Sequence, residues 1–188
     1  QLYRGRSLDV IAQVETLDPF ARAITGDYSV FTCASTMVET AERLTQDDGD
    51  LDTTESPQQY LLLYGALAAL ARRRHAPGLV LDSYLLRALA LAGWAASCYD
   101  CARCGASGPH AAFHVQAGGA VCAGCRPAGA VDVEPGTMAL LGALLSGDWG
   151  VADVSAERDR AQASGIVSAY LTWHLERRLR SLSLVERA

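Results

Sequence analysis

Cys101-Ala-Arg-Cys104-Gly and Cys122-Ala-Gly-Cys125-Arg constrain this chain more than any other stretch. Each thiol pair has a two-residue spacer, and seventeen residues lie between the pairs. This is the spacing of a four-cysteine zinc site. A two-residue spacer lets one tight turn aim both sulfurs of a pair at a single ion, with the amides of the turn facing the thiolates. Two such turns, brought together by a hairpin, complete a tetrahedral shell. Gly105 and Gly124 are expected to supply positive φ in these turns. The segment between the pairs reads as strands over 112–116 and 120–122, joined at Gly118-Gly119. With every position taken by thiolate, none stays open for water. The ion, one zinc per chain, is therefore expected to be structural and not hydrolytic.

Other readings of the same thiols are weaker. Two disulfides would go with a secretory signal, and no such pattern stands in these residues. A redox pair would go with a βαβ unit, which is also not seen. Cys98 and Cys101 share the two-residue spacing, but choosing them strands Cys104 and loses the glycine that follows a knuckle. Cys98 is then expected to be a packed thiol near a helix end, and Cys33 a helix-core thiol. His110 and His114 also lie between the pairs. Either can replace a thiolate, though four cysteines suffice and a surface or hairpin-face place is expected.

The 188 residues are half hydrophobic, enough for a sizeable helical core, and no apolar run reaches membrane-spanning length. All sixteen basic residues are Arg, with neither Lys nor Asn present, which fits a GC-rich genome. The net charge of −5 gives no general attraction for nucleic acid. Thiol usage fits a reducing cytoplasm. No glycine-rich phosphate loop, HExxH, GxSxG or Ser/His/Asp grouping appears, so no catalytic constellation is expected.

Along the chain, residues 2–15 read as strand, turn, strand, with Leu8, Val10, Ala12 and Val14 alternating against Asp9, Ile11, Gln13 and Glu15, one face cleaner than the other. Two strands alone are unstable in water, so residues 1–15 are expected to end a β domain that begins upstream. Residues 16–188 are expected to form a helical domain with the zinc module inserted at 98–126. Asp18-Pro19 starts a short helix, and Asp27 caps a longer one whose stripe includes Val30, Phe31, Ala34, Met37, Val38, Ala41 and Leu44. The acidic stretch 46–55 is expected to be a solvated connector. Ser56-Pro57 starts a helix to about Arg74, Pro77 opens another to Leu91, and Pro135 opens one ending near Gly147. Residues 127–134 read as a linker. Trp94 is expected to pack the zinc module on the helices, and Trp149 to be a core or lid aromatic. The last helix is expected over 155–182, with His174 a hydrogen-bonded packing residue. Arg72, Arg73 and Arg74 either complement a helix dipole or form an anion site.

The chain resembles the bacterial RecO family of recombination mediators, over nearly its whole length. The likeness rests on Leu2-Tyr3-Arg4-Gly5-Arg6-Ser7-Leu8-Asp9-Val10-Ile11, Val38-Glu39-Thr40-Ala41-Glu42-Arg43-Leu44, Leu79-Val80-Leu81-Asp82-Ser83-Tyr84-Leu85-Leu86-Arg87, Gly93-Trp94, the cysteine module, and His174-Leu175-Glu176-Arg177-Arg178-Leu179-Arg180-Ser181-Leu182. The Arg- and Ala-rich composition looks actinobacterial. The resemblance implies an N-terminal OB-fold, of which 1–15 are the last strands, followed by a helical domain with a zinc module. It implies a non-enzymatic, cytoplasmic, nucleoid-associated protein. Such a protein binds and anneals single- and double-stranded DNA, engages the acidic tail of single-stranded DNA-binding protein, and acts with RecR to load RecA.

Local candidates for DNA contact are Arg4, Arg6, Arg177, Arg178 and Arg180. The alternative for the last three is pairing with Glu176 and Glu186 or with the helix dipole. Candidates for the tail site are Arg72, Arg73, Arg74 and Arg87, beside the leucines of their helices. The other class of function is a zinc-stabilised helical adaptor that binds only protein.

Overall fold

The computed structural model describes residues 1–5, 8–16, 18–46, 56–175 and 179–185. Strands β1 (Leu2–Tyr3) and β2 (Val10–Ile11) form an antiparallel ribbon in which Tyr3 faces Val10 across the pair. Tyr3, Val10 and Ile11 are all exposed, so both faces of the ribbon carry apolar side chains in water.

The helices follow as α1 (Phe20–Ile24), α2 (Tyr28–Gln46), α3 (Ser56–Ala71) and α4 (Pro77–Leu91). Asp27 caps α2 as expected, its Oδ1 accepting the Val30 amide at 3.3 Å. The α2 stripe is narrower than its periodicity suggests. Val30, Ala34 and Met37 are buried, whereas Phe31 and Val38 are exposed, because α3 and α4 cover only one side of the helix. Helix α3 stops at Ala71, short of the expected Arg74. Arg73 has φ +48°, and the Arg74 amide reaches back to the Ala69 carbonyl at 3.2 Å, a left-handed stop made without glycine. An ion pair from Arg73 to Asp27, 2.8 Å, holds that stop against the start of α2. The acidic residues 47–55 lie outside the described residues.

Helix α4 is the centre of the body. It packs against α2, α3, α5 (Pro135–Ser146) and α7 (Glu157–His174), and Leu79–Leu86 are all buried along it. Two buried polar contacts tie it to its neighbours, while the buried Tyr84 hydroxyl has no partner among the described residues. The Ser83 hydroxyl donates to the Leu144 carbonyl at 2.7 Å, and the Gln59 amide of α3 donates to the Ala88 carbonyl at 2.9 Å.

Between α4 and α5 lies a three-stranded antiparallel sheet, in the order β4 (Gly119–Ala120), β3 (Ala112–His114), β5 (Val131–Asp132). The expected hairpin is present but shorter. A 3₁₀ turn, Val115–Ala117, takes up what was read as strand, and Phe113 pairs with Ala120. The stretch read as a linker supplies β5, where Val131 pairs with Phe113. A single-turn helix α6 (Trp149–Ala152) separates α5 from α7.

The last helix is shorter than expected. It ends at His174, and Leu179 turns back into the core before a 3₁₀ turn, Ser181–Leu184. Glu39 fixes this return. Its carboxylate accepts the Arg180 amide at 2.9 Å, the Ser181 amide at 2.8 Å and the Ser181 hydroxyl.

Candidate metal centre and partner grooves

The metal module is built from short turns. In the first knuckle the Gly105 amide bonds the Cys101 carbonyl at 2.8 Å, with Gly105 at φ +71° as expected. In the second, the Cys125 amide bonds the Cys122 carbonyl at 3.1 Å inside a 3₁₀ turn, Ala123–Cys125. Gly124 is not among the residues with positive φ, because a 3₁₀ turn needs none. The four sulfurs of Cys101, Cys104, Cys122 and Cys125 lie within 4.8 Å of one another, and those of Cys104 and Cys122 are 3.8 Å apart. A tetrahedron with metal–sulfur bonds of about 2.3 Å has edges of about 3.8 Å, so the donor set fits one four-coordinate structural metal ion.

The electrostatics favour a thiolate at Cys101. The Cys122 amide points at the Cys101 sulfur, 3.4 Å away, and with the amides of Arg103 and Cys104 it holds that thiol down to about 6. Hydrogen bonding with the neighbouring Cys104 and Cys122 sulfurs pushes Cys125 up to about 12. Arg103 reaches from the first knuckle to the Cys125 carbonyl of the second at 3.2 Å, bringing positive charge to the cluster.

Cys98 belongs elsewhere. It is buried in the main core, and burial raises its thiol to about 11. His110 bonds the Ala106 carbonyl at 2.8 Å in the loop before β3, and His114 Nδ1 accepts the Ala117 amide at 3.1 Å within the hairpin.

The module's own apolar centre is small, formed by Cys101, Ala112 and Val121. Phe113 anchors it to the helices, meeting the Tyr170 ring edge-on at 6.0 Å. Gly119 fixes the entry strand. A Cβ there would lie 2.2 Å from the Ser97 carbonyl, whose oxygen accepts the Ala120 amide at 2.7 Å. Trp94 was expected to join the module to the helices. Its ring instead stacks on His174 of α7, centroids 4.9 Å apart, and Phe113 makes the junction. His174 packs as expected but without the expected hydrogen bond, for its Nε2 is buried with no partner among the described residues.

A second site lies between α3 and α4. An apolar groove of about 670 Å³ is lined by Leu61, Leu62, Val80 and Leu91, with Arg74 and Arg87 both on its wall. No described carboxylate lines it. Trp149 closes one side, stacked on His75 with ring centroids 3.8 Å apart, while Asp153 holds His75 Nδ1 at 2.8 Å. Of the four arginines expected at a tail site, the groove therefore gathers Arg74 and Arg87. Arg73 is taken up by Asp27, and Arg72 is exposed outside the lining. Among the described residues Arg87 makes no ion pair; its Nη1 lies beside Gly147, at the carboxyl end of α5.

The DNA candidates are not gathered into one site. Arg4 is exposed on the N-terminal ribbon and Arg180 is exposed at the C-terminal return, off any α-helix. Arg6, Arg177 and Arg178 lie outside the described residues. The long-range contact that sequence reasoning missed is Glu39 with Ser181. Its only prior signal is that both residues fall in blocks carrying the family resemblance. No helix among the described residues is long and apolar enough to cross a membrane.

Comparison with known proteins agrees with this architecture. The family model described as "Recombination protein O C terminal" matches residues 25–183. A Thermobifida fusca protein named DNA repair protein RecO is 52% identical over 188 residues, covering all of this chain and 76% of the relative. A Nocardioides protein of the same name is 50% identical over 190 residues, covering all of this chain and 76% of the relative. The Streptomyces coelicolor protein of that name is 51% identical over 183 residues, covering 97% of this chain and 72% of the relative. A family match across the helical body and its metal module, with three actinobacterial relatives about half identical, makes this chain a member of the RecO family of DNA repair proteins.

Proposed function

We propose that this chain is part of a non-enzymatic DNA repair and recombination mediator. It binds and anneals single- and double-stranded DNA. With RecR, it helps load RecA on strands coated by single-stranded DNA-binding protein. The observation that carries the partner side of this reading is the groove between α3 and α4. An apolar channel with two guanidinium groups and no described carboxylate suits a chain end that is acidic and finishes in a hydrophobic residue with a free carboxylate. Arg74 and Arg87 meet the charges, and the leucines take the apolar end.

The ion held by the four cysteines is zinc, one per chain, and its role is to hold the module together. Residues 1–15 are the last strands of an OB-fold, which is supported by a ribbon with apolar side chains exposed on both faces. Arg4, Arg6, Arg177, Arg178 and Arg180 contact phosphates. The protein works in the cytoplasm, at the nucleoid.

The second reading is a metal-stabilised adaptor that binds protein alone. It draws support from the net charge of −5, and from Arg73 and Arg126 being engaged by Asp27 and Asp132. Titration of a fluorescent tail peptide tests the groove. Arg87→Ala is expected to weaken binding about tenfold, the scale of a charge-assisted contact, while Arg72→Ala leaves it unchanged. Equal affinity for wild type and a folded Arg87→Ala would remove Arg87 from the site. Salt-dependent binding of a labelled oligonucleotide separates the two readings, since the adaptor shows none.

A further inference from the structure

A groove of about 1130 Å³ is lined by α7, Val115 of the metal module, Trp94, and Leu179 and Leu182 of the C-terminal return. Two of the protein's three tryptophans open onto it. Trp94 is 37% exposed and Trp173 is 51% exposed. Each indole ring carries a large apolar face that a planar partner can cover.

Trp94 is also rigidly held. Phe113 meets Tyr170 edge-on at 6.0 Å, Tyr170 meets His174 edge-on at 4.5 Å, and His174 stacks on Trp94 at 4.9 Å with planes 20° apart. The Tyr170 hydroxyl donates to the Trp94 carbonyl at 3.3 Å. This ladder of rings runs from the metal module to the groove wall, and Trp94 is its last rung. Trp173 has no ring partner among the described residues.

We propose that this groove is a stacking site for unpaired nucleobases of single-stranded DNA, with Trp94 and Trp173 as its ring platforms. The proposal rests on the DNA-binding reading above and places base contact on α7, away from the tail groove. Charge is compatible with this occupant. In a chain of net charge −5, no described carboxylate lines the groove, and Arg180, next in sequence to the lining residue Leu179, is exposed. The hydroxyls of Ser168, Thr172 and Ser183 add polar partners for base edges. A planar base completes the ring ladder without any rearrangement of its supports, and stacking is indifferent to sequence.

The test uses the intact protein with Trp149 replaced by phenylalanine, so that emission reports Trp94 and Trp173. A thymidine oligonucleotide is expected to quench the emission, and an abasic strand of equal length is not, since it keeps the phosphates and lacks the rings. Trp173→Ala is expected to weaken thymidine binding about tenfold. The slope of affinity against salt is expected to stay unchanged, because no phosphate contact is lost. Trp173→Phe should recover most of the affinity. Tight thymidine binding with no quenching, and with Trp173→Ala at wild-type affinity, would overturn the stacking site and leave the DNA-binding reading standing. No binding of any strand would overturn both. Quenching by the acidic tail peptide in place of DNA would make the groove a protein-docking surface and overturn the proposal.

Discussion

Glu39 accepts three hydrogen bonds from a segment more than a hundred residues away. Burial opposes ionisation of its carboxyl. The Ser181 hydroxyl, the amides of Ser181 and Arg180, and the charge of Arg43 outweigh that burial and hold it below the usual carboxylate range. A carboxyl depressed in the folded state contributes its full stability above its unfolded pKa, and loses it as pH falls through the folded value. Glu39→Gln is therefore expected to lower stability near neutral pH by about 1 kcal/mol, allowing for partial solvent exposure. The mutant should also lose less stability than wild type on acidification. Urea midpoints at neutral and acid pH measure both effects. An equal acid loss in the two proteins would show that the C-terminal return is not fastened by this carboxylate. Single residues with local roles were legible: Asp27 as a cap and the four cysteines as one group. Glu39 was not, because nothing in a helical repeat says which exposed-face carboxylate a distant turn will use.

Helix α4 makes the clearest statement at the scale of elements. Its sequence was read as one helix among several, yet four helices pack around it. Leu85, 0% exposed, is expected to cost about 2–5 kcal/mol when cut to alanine. Leu61→Ala on α3, where the side chain is 64% exposed in the groove between α3 and α4, is expected to leave the melting temperature nearly unchanged. Thermal unfolding of the two mutants distinguishes a central α4 from an evenly shared core. Starts and stops were legible where Pro57, Pro77, Pro135 or Gly147 marks them. They were not legible at Arg73, a left-handed stop without glycine, or after His174, where Leu179 abandons the helix to fill the core. Strand β5 was missed because two residues carry no period.

For the metal module, one zinc per chain is expected in wild type and in Cys98→Ala, and none in Cys101→Ala, by elemental analysis. The Cys101→Ala mutant should keep its main helices with lower stability, since only Cys101, Ala112 and Val121 form the module's own centre. Metal retained in Cys101→Ala and lost in Cys98→Ala would move the first pair to 98/101.

Across the whole molecule, the body presents two grooves of different chemistry. The one between α3 and α4 pairs arginines with leucines, and the one on α7 pairs indoles with hydroxyls. On the function proposed above, this division would let the protein hold a DNA strand and the protein that coats it at the same time. Charge totals concealed this division. The net −5 says little about surfaces from which carboxylates are locally excluded. The resemblance pointed to the right family, while the placement of its sites needed side chains brought together from α3, α4, α6 and α7. The most direct measurement is the annealing rate of complementary strands with the intact protein, on bare DNA and on DNA coated with single-stranded DNA-binding protein. Wild type should accelerate both reactions and leave every strand covalently unchanged. Arg87→Ala should keep its rate on bare strands and lose about tenfold on coated ones. Equal rates for wild type and Arg87→Ala on coated strands, or strands cut or modified by wild type, would contradict the account.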